Sequence, residues 1–376
     1  MLDPKYFYDV LKSQNINFYT GVPDSLLKHF CTYIQNNTSP SNHIIAANEG
    51  GAIALATGYH LATGNIPLVY MQNSGLGNAI NPLLSLTHSS VNSIPILLLI
   101  GWRAEPNSTD EPQHQKQGEI TLDLLQLLDI PYSILSHHSF DSLYNIIHLI
   151  NKNQSPGALV VKKNTFLAIP NNALPISSSL EIDRNLAISL ILKAFHNIPH
   201  KTVATTGKIA RELYSLRQIS QSSHNQDFLS IGSMGHASQI ALGLALQNPI
   251  LPILCLDGDG SLLMHMGSLA IIGSQNNLNN FKHILLNNGC HDSVGGQPTA
   301  GFKINFLEIA KGCGYSFYKS ASSHSELICH LNEFIYCKGP ALLEIKIKKD
   351  VHSTLLRPQE SPLERKIEFM KSLSPC

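Results

Sequence analysis

Short apolar runs alternate with helix-length amphipathic segments along this chain. The runs predicted as strands are 44–47, 68–71, 96–100, 158–161, 203–205, 251–256, 283–286 and 342–347. Between two of them, Asp183 is the predicted N-cap of a helix whose apolar residues at 187, 190, 191 and 194 repeat at helical spacing. This alternation predicts an α/β protein built from parallel sheets with helices on both faces.

A polar interruption divides the chain into two halves of comparable size. Residues 168–179 read AIPNNALPISSS, a segment rich in proline, asparagine and serine, without charge and without an apolar period. We predict a first domain at 1–167, a linker at 168–182 and a second domain at 183–376. With 376 residues, 43% of them hydrophobic, the chain can supply each domain with its own core.

Charge and cysteine content narrow the class of protein. The chain has 26 Lys and Arg against 26 Asp and Glu, so no long-range field favours nucleic acid or an anionic membrane surface. Its seven cysteines form no CxxC pair, and their odd number suits a reducing cytoplasm better than a closed disulfide framework. No secretion signal is visible, and the longest apolar run, 94–102, is far shorter than the roughly 20 residues of a membrane span. We expect a cytoplasmic protein.

A metal-binding pattern follows two of the predicted strands. Residues 257–261 read DGDGS at the end of one run, and residues 287–289 read NNG at the end of the next. The glycines leave the backbone free to approach a diphosphate, while Asp259 offers an anionic oxygen and Asn288 a neutral one. Mg²⁺ takes few protein oxygens and completes its shell with phosphate and water. These two strand ends therefore predict a magnesium and diphosphate site.

Two other interpretations of this segment fit less well. A strand followed by DxDGS also resembles the aspartyl-nucleophile loop of haloacid dehalogenase-type phosphatases. Against that, only the last third of the chain follows the loop, and it contains no acidic pair at a later strand end. A calcium-binding EF-hand would need glycine where Leu262 stands and glutamate where Ser268 stands.

The GDG motif, its spacer and the following NN together resemble the diphosphate-binding domain of thiamine diphosphate-dependent enzymes. This resemblance implies two thiamine diphosphate-binding-type domains, the aminopyrimidine-binding one first and the diphosphate-binding one second, with thiamine diphosphate and Mg²⁺ as cofactors. It places the side chains of Asp259 and Asn288 and the main-chain carbonyl of Cys290 around the metal. The implied cofactor-binding residues of this half are Gly232, Ser233, Met234, Gly258, Asp259, Gly260, Ser261 and Asn288.

The first half contributes a glutamate at a strand end. Residues 47–52 read ANEGGA and lead into a small-residue helix that stops near Gly64. In the enzymes that this chain resembles, a carboxylic acid hydrogen-bonds the aminopyrimidine ring and favours the tautomer that removes the thiazolium C2 proton. The resemblance gives Glu49 that catalytic role; otherwise it is a helix N-terminal glutamate favoured by the dipole. Met234 similarly either props the cofactor in its bent form, as the resemblance implies, or fills the core.

Several segments are similar to the compact branch of this enzyme class, the phosphonopyruvate and sulfopyruvate decarboxylases. They are GVPDS at 21–25, NSGLGN at 73–78, DEPQH at 110–114, TTGK at 205–208, MHMG at 264–267 and HDSVGGQPT at 291–299. A tetrahedral phosphono or sulfo anion needs several hydrogen-bond donors. The candidate substrate-binding residues are Ser25, His114, His291 and Ser293, with Lys116, Gln297 and Thr299 as further possible donors. Each of them also suits an ordinary loop or turn role.

The resemblance implies decarboxylation of 3-phosphonopyruvate to phosphonoacetaldehyde and CO2, at a site formed between the subunits of a homodimer or higher homo-oligomer. Three alternatives stay open: a sulfopyruvate decarboxylase, a small acetolactate-forming carboligase, and a catalytically silent thiamine diphosphate-binding protein. The resemblance assigns no proton donor for the last step, because the segments that carry it contain no adjacent His-His pair of the kind that pyruvate decarboxylases use.

Overall fold

The computed structural model describes residues 1–136, 139–169, 180–349 and 355–373. The chain forms two compact units, Met1–Ala173 with Ser293–Gln297, and Leu174–Asp292 with Pro298–Cys376. Most of the predicted linker, 170–179, lies outside the described residues. Within the described ranges, every helix is too short or too polar to cross a lipid bilayer.

The first unit contains a six-stranded, fully parallel sheet. Its strands are β1 (Tyr19–Gly21), β2 (His43–Ile45), β3 (Leu68–Gln72), β4 (Leu97–Gly101), β5 (Tyr132–Ile134) and β6 (Gly157–Val161). Its helices are α1 (Pro4–Ser13), α2 (Lys28–Asn37), α3 (Glu49–Thr63), α4 (Leu76–Pro82), α5 (Pro112–Leu127) and α6 (Asp141–Asn153). A 3₁₀ turn at Asn73–Gly75 precedes α4, and a π-helical turn at Leu83–Thr87 follows it.

Both faces of this sheet carry hydrophobic cores, because successive residues of a strand point to opposite sides. On one face, Leu99 of β4 packs in a cluster with Phe7 of α1 and Phe30 of α2. On the other face, Leu98 belongs to a cluster with Ile53 of α3. The central strands are therefore apolar on both sides, as expected for a parallel sheet covered by helices on each face.

The second unit contains another six-stranded parallel sheet. Its strands are β7 (Lys201–Ala204), β8 (Asp227–Leu229), β9 (Ile253–Gly258), β10 (Phe281–Asn287), β13 (Phe317–Ala321) and β14 (Ala341–Lys346). Two further strands of two residues each, β11 (Cys290–His291) and β12 (Gln297–Pro298), lie between β10 and β13 in the chain and pair with each other. The helices are α7 (Arg184–Ala194), α8 (Lys208–Ile219), α9 (Ala237–Gln247), α10 (Asp259–Met264), α11 (Ser268–Gly273), α12 (Phe306–Gly312), α13 (His324–Phe334) and α14 (Pro362–Lys371).

Helices cover the second sheet on both faces as well. Leu256 of β9 joins Ile188 of α7 and Leu213 of α8 in one cluster, whereas its neighbour Cys255 faces the cluster that contains Ala241 of α9. The predicted N-cap of α7 is confirmed, since the Asp183 side chain accepts a hydrogen bond from the backbone of the third helical residue.

The two sheets share one topology. The strand order is β2-β1-β3-β4-β6-β5 in the first and β8-β7-β9-β10-β14-β13 in the second, so the strands follow the same sequential pattern in both. In the first sheet, β2 lies on one side of β1 and β3 on the other, so the order of the strands reverses there. The same reversal occurs at β7 in the second sheet, between β8 and β9. Ligands of open parallel sheets bind beyond the carboxyl ends of strands at such switch points. We call the side of each sheet where its strands end its carboxyl edge.

Candidate active site

The predicted metal ligand Asp259 lies at the carboxyl edge of the second sheet. Strand β9 ends at Gly258, and Asp259 begins α10 with only 2% of its surface exposed. Burial raises the pKa of Asp259 to about 6, against hydrogen bonds from the Thr299 hydroxyl and from backbone groups that include Asn288. Since burial penalises the charged form, this carboxylate is a ligand that a cation would stabilise.

Asn288 and Cys290 follow the neighbouring strand. The Asn288 side-chain oxygen accepts a 3.1 Å hydrogen bond from the Cys290 backbone N–H. The Cys290 carbonyl accepts another, at 3.1 Å, from the backbone N–H of Asp292. Each oxygen has a second lone pair. Together with Asp259, these atoms offer one anionic and two neutral oxygens, the kind of ligand that Mg²⁺ prefers.

The loop that follows β12 packs directly on Asp259. The Thr299 hydroxyl accepts a 3.0 Å hydrogen bond from the Gly301 backbone N–H and donates to the Asp259 carboxylate. A Cβ atom on Gly301 would lie 2.5 Å from carboxylate oxygen Oδ2 of Asp259 and 2.5 Å from the side-chain oxygen of Asn287. The Asn287 amide in turn donates to Glu344 at 2.7 Å. This close packing fixes the carboxylate from one side.

The predicted GSMG and GDGS segments are joined by hydrogen bonds. The Ser261 hydroxyl contacts the Thr205 hydroxyl at 2.9 Å and accepts a 3.1 Å hydrogen bond from the Gly235 backbone. The Met234 methyl group would lie 3.4 Å from a Cβ atom on Gly260. Met234 therefore extends over the glycine beside Asp259, and it is only partly buried.

The remaining predicted cofactor-binding residues of the second unit are Gly232, Ser233 and Gly258. The Gly232 carbonyl accepts a 2.8 Å hydrogen bond from the Ser230 hydroxyl. Ser233 is exposed and adopts a left-handed backbone conformation with φ of 51°. Gly258 is close to Ile209, whose methyl group would lie 3.3 Å from an added Cβ atom. These residues line the turn between β8 and α9 and the end of β9.

Two histidines come together next to this turn. The rings of His236 and His265 lie 4.4 Å apart at an interplanar angle of 53°. Burial, and then the neighbouring His236, lower the pKa of His265. A Cβ atom on Gly235, which has φ of 88°, would lie 2.6 Å from the His265 ring. The fold thus brings together two histidines that are 29 positions apart in the sequence.

Glu49 lies at the carboxyl edge of the first sheet. It begins α3, after the N-cap Asn48, and only 5% of its surface is exposed. Burial raises the pKa of Glu49, while a 2.8 Å hydrogen bond from the Asn78 side-chain amide to its Oε2 opposes the shift. A Cβ atom on Gly75 would lie 2.5 Å from the other oxygen, Oε1. One carboxyl oxygen of Glu49, Oε2, therefore accepts a hydrogen bond from Asn78, and the other, Oε1, faces Gly75.

The candidate substrate residue Ser25 contacts an arginine that the sequence analysis did not single out. Arg103 donates to the Ser25 hydroxyl at 3.0 Å and forms a two-point ion pair with Asp110. The Arg103 guanidinium and other hydrogen bonds hold the pKa of Asp110 well below its usual range, although burial opposes them. His114 lies in the first turn of α5, and burial and then Arg103 lower its pKa.

The remaining candidate residues differ in exposure. His291 is partly buried with its ring 3.0 Å from the position of a Cβ atom on Gly260, and burial lowers its pKa to about 4. Ser293 is exposed. Lys116 extends into solvent, with 78% of its side chain exposed, and pairs with Glu119 at 3.0 Å. His291 therefore lies beside Gly260 of the metal motif.

Sequence reasoning missed the groups that position the carboxylates. Asn78 and Gly75 belong to the NSGLGN segment, and Thr299 to the HDSVGGQPT segment, but neither segment carries a spacing rule that links it to a carboxylate. Thr299 contacts a residue 40 positions away and Asn78 one 29 positions away. A glycine shortly after a strand, such as Gly75 after β3, was the available signal, because such glycines can mark close approach of another group.

Both halves of the chain match models of one protein family. Residues 4–127 match the thiamine pyrophosphate enzyme N-terminal TPP binding domain. Residues 205–345 match the thiamine pyrophosphate enzyme C-terminal TPP binding domain. The two matches fall on the units that carry Glu49 and Asp259, respectively.

Three relatives are similar over nearly the whole chain. A phosphonopyruvate decarboxylase of Streptomyces viridochromogenes is 32% identical over 361 residues, covering 92% of this chain and 88% of the relative. Another phosphonopyruvate decarboxylase, of Streptomyces hygroscopicus, is 31% identical over 361 residues, covering 92% and 87%. A sulfopyruvate decarboxylase of Methanosarcina acetivorans is 26% identical over 362 residues, covering 90% of each chain.

Proposed function

The chain belongs to the phosphonopyruvate decarboxylase family of thiamine diphosphate enzymes, and we propose that it decarboxylates 3-phosphonopyruvate to phosphonoacetaldehyde and CO2. The observation that supports this substrate most strongly is similarity through both halves at once: two relatives with this name are 31–32% identical over 92% of the chain. The sulfopyruvate decarboxylase of similar coverage is 26% identical.

The donor set of the second unit suits Mg²⁺ and a diphosphate. Asp259, the Asn288 side chain and the Cys290 carbonyl would hold the ion, and Gly258 and Gly260 leave the backbone accessible to phosphate oxygens. Because burial raises the pKa of Asp259 to about 6, a bound cation is what would keep this carboxylate fully ionised at neutral pH. Ser261 and the turn at 232–234 would complete the cofactor contacts.

Thiamine diphosphate, when bound, supplies the electron sink that accepts the carbon–carbon bond electrons as CO2 leaves. Glu49 serves it by holding and exchanging a proton at the aminopyrimidine ring. Support for this assignment comes from the position of the carboxyl group, in which Asn78 donates to Oε2 while Oε1 faces Gly75. Burial raises the pKa of Glu49, which favours its protonated, hydrogen-bond-donating form.

We assign recognition of the phosphono group to Ser25, His114, His291 and Ser293. Arg103 supports this set, since its guanidinium is fixed by Asp110 and donates directly to Ser25. A fixed guanidinium orients a hydroxyl better than a mobile lysine does. The exposed Lys116 is not part of the proposed set.

We further propose that the active form is a homodimer or higher homo-oligomer that works in the cytoplasm. The six cysteines in the described ranges are free thiols, and Cys329 among them is exposed, which suits a reducing compartment. Light scattering coupled to an activity assay tests the assembly: an oligomer carrying all the activity supports it, and a fully active monomer contradicts it.

The substrate assignment is tested by a competition among 2-oxo acids. Purified protein with thiamine diphosphate and Mg²⁺ is assayed with phosphonopyruvate, sulfopyruvate and pyruvate, and the aldehyde or carboligation product is identified. We expect kcat/KM to be highest for phosphonopyruvate, with phosphonoacetaldehyde as product. A higher kcat/KM for sulfopyruvate would contradict this assignment and identify a sulfopyruvate decarboxylase. Acetolactate formed from pyruvate as the main product would contradict it and identify a carboligase.

A further inference from the structure

A second group of metal-ligating side chains is buried inside the second unit, on the strands that lead to the residues proposed to bind the cofactor. Cys255 and Asp257 project from the same face of β9, and His283 projects from β10, where it pairs in register with Cys255. Their ligand atoms all lie within 4.8 Å of one another. None of the three residues is more than 1% exposed.

The atoms that face one another are separated by a distance suited to a shared ion. His283 Nε2 and Asp257 Oδ2 are 3.4 Å apart, and neither has a hydrogen-bond partner among the described residues. Two ligands placed about 2.0–2.1 Å from a tetrahedral Zn²⁺ are themselves about 3.4 Å apart. Leaving two buried polar atoms without partners is costly, so a ligand between them would remove a real penalty.

The outward-facing atoms of the same residues are already satisfied. Asp257 accepts a 2.9 Å hydrogen bond from the Gly258 backbone on its other oxygen, Oδ1. His283 contacts the Tyr315 hydroxyl at 3.3 Å through its other ring nitrogen, Nδ1. Metal-binding histidines and carboxylates commonly have their second atom fixed in this way.

Charge balance supports the same conclusion. Burial raises the pKa of the Cys255 thiol, so the thiolate needs a neighbouring cation. A dication with one thiolate, one carboxylate and one neutral imidazole carries no net charge. A neutral assembly can be buried at far smaller cost than an isolated ion.

We propose that Cys255, Asp257 and His283 supply three ligands of a buried site for a thiophilic divalent cation, with Zn²⁺ the best match for a sulfur, oxygen and nitrogen donor set. This site is separate from the Mg²⁺ site assigned to Asp259, and the proposal does not depend on the substrate. Its structural effect would be to tie β9 to β10 directly below the strand ends that lead to Asp259 and Asn288.

The zinc content of the purified protein tests this proposal directly. Protein expressed with zinc is dialysed with excess Mg²⁺ and thiamine diphosphate, so that the cofactor site is occupied, and zinc is counted by mass spectrometry. Wild type should retain about one zinc ion per chain, and Cys255→Ser and His283→Gln should bind it at least about tenfold more weakly. Cys31→Ser, which removes a buried cysteine of the first unit, is the matched control and should retain zinc.

Cobalt gives a measurement that does not rely on the stability of the variants. Co²⁺ added to metal-free wild type should produce a thiolate-to-metal charge-transfer band, which persists in Cys290→Ser and is lost in Cys255→Ser. Wild type without this band, or a band that survives in Cys255→Ser, would overturn the site. Equal zinc content in wild type and Cys255→Ser would overturn it as well, and would leave Asp257 and His283 as a buried polar pair.

Discussion

The side-chain amide of Asn78 donates a 2.8 Å hydrogen bond to the buried carboxyl group of Glu49. Glu49 begins the helix that follows β2, and Asn78 lies in the helix that follows β3, 29 positions later in the chain; β1 separates these two strands in the sheet. The bond matters because burial alone raises the pKa of this carboxyl group and the amide partly reverses the effect. The protonation of the proposed catalytic residue is therefore set by a neighbour with no charge of its own.

Asn78→Ala should shift the acidic limb of the kcat/KM profile to higher pH. The amide stabilises the ionised form of Glu49, so its removal raises the pKa further. Asn81→Ala, on the same helix, removes a side chain whose oxygen accepts a hydrogen bond from Ser85 and should leave the profile in place. A profile that does not move in Asn78→Ala would show that Glu49 does not control the acidic limb.

Gly75→Ala should lower kcat/KM by about 10²-fold, since a displacement of roughly 1 Å at a reacting group has an effect of that size. The new Cβ atom would lie 2.5 Å from Oε1 of Glu49, while the backbone, with φ of −69°, accepts alanine. Gly77→Ala is the matched control, because no atom lies within 4 Å of its added Cβ. Equal losses in both variants would exclude the contact with Glu49 as the cause.

Thr299→Val should weaken Mg²⁺-dependent binding of thiamine diphosphate by about tenfold, the usual effect of losing a hydrogen bond to a metal ligand. The hydroxyl of Thr299 donates to Asp259, and valine preserves the shape but not this donor. Thr299→Ser retains the hydroxyl and should bind nearly as well as wild type. Titration calorimetry at fixed Mg²⁺ measures both. Wild-type affinity in Thr299→Val would remove Thr299 from the metal site.

Glu49→Gln should stabilise the cofactor-free protein increasingly as pH rises. The folded state raises the pKa of Glu49 by burial, so its ionisation opposes folding. That penalty is absent below the unfolded-state pKa and grows as pH rises through the folded-state value. The difference in Tm between variant and wild type should therefore widen from acid to alkaline pH. The exposed Glu119→Gln should show a nearly constant difference; an equal trend there would contradict the explanation.

The central strands were predictable because both faces of a parallel sheet are covered. All eight predicted runs overlap strands; for example, 283–286 lies within β10. The missed strands are short or mixed in polarity, such as Asp227–Leu229 and Tyr132–Ile134 at sheet edges, where one side lacks a neighbouring strand and the apolar signal weakens. Three-residue Tyr19–Gly21 lies inside its sheet but is too short for a periodic pattern.

The site was predictable where it follows strands and not where it depends on distant loops. Asp259 and Asn288 could be placed together because β9 and β10 were both recognisable and their carboxyl ends meet at one edge. The contacts of Thr299 and Gly301 with Asp259 depend on the path of an irregular loop, which no periodicity encodes. Arg103 was missed for the same reason, since its contact with Ser25 joins residues 78 positions apart.

The central claim is tested most directly by CO2 release from phosphonopyruvate, measured for wild type and Glu49→Gln after both have been shown to bind thiamine diphosphate and Mg²⁺. The account predicts turnover by wild type and a loss of at least about 10²-fold in kcat for the variant, the typical contribution of a positioned acid–base group. Equal turnover by the two proteins, or no release of CO2 by cofactor-loaded wild type, would contradict it.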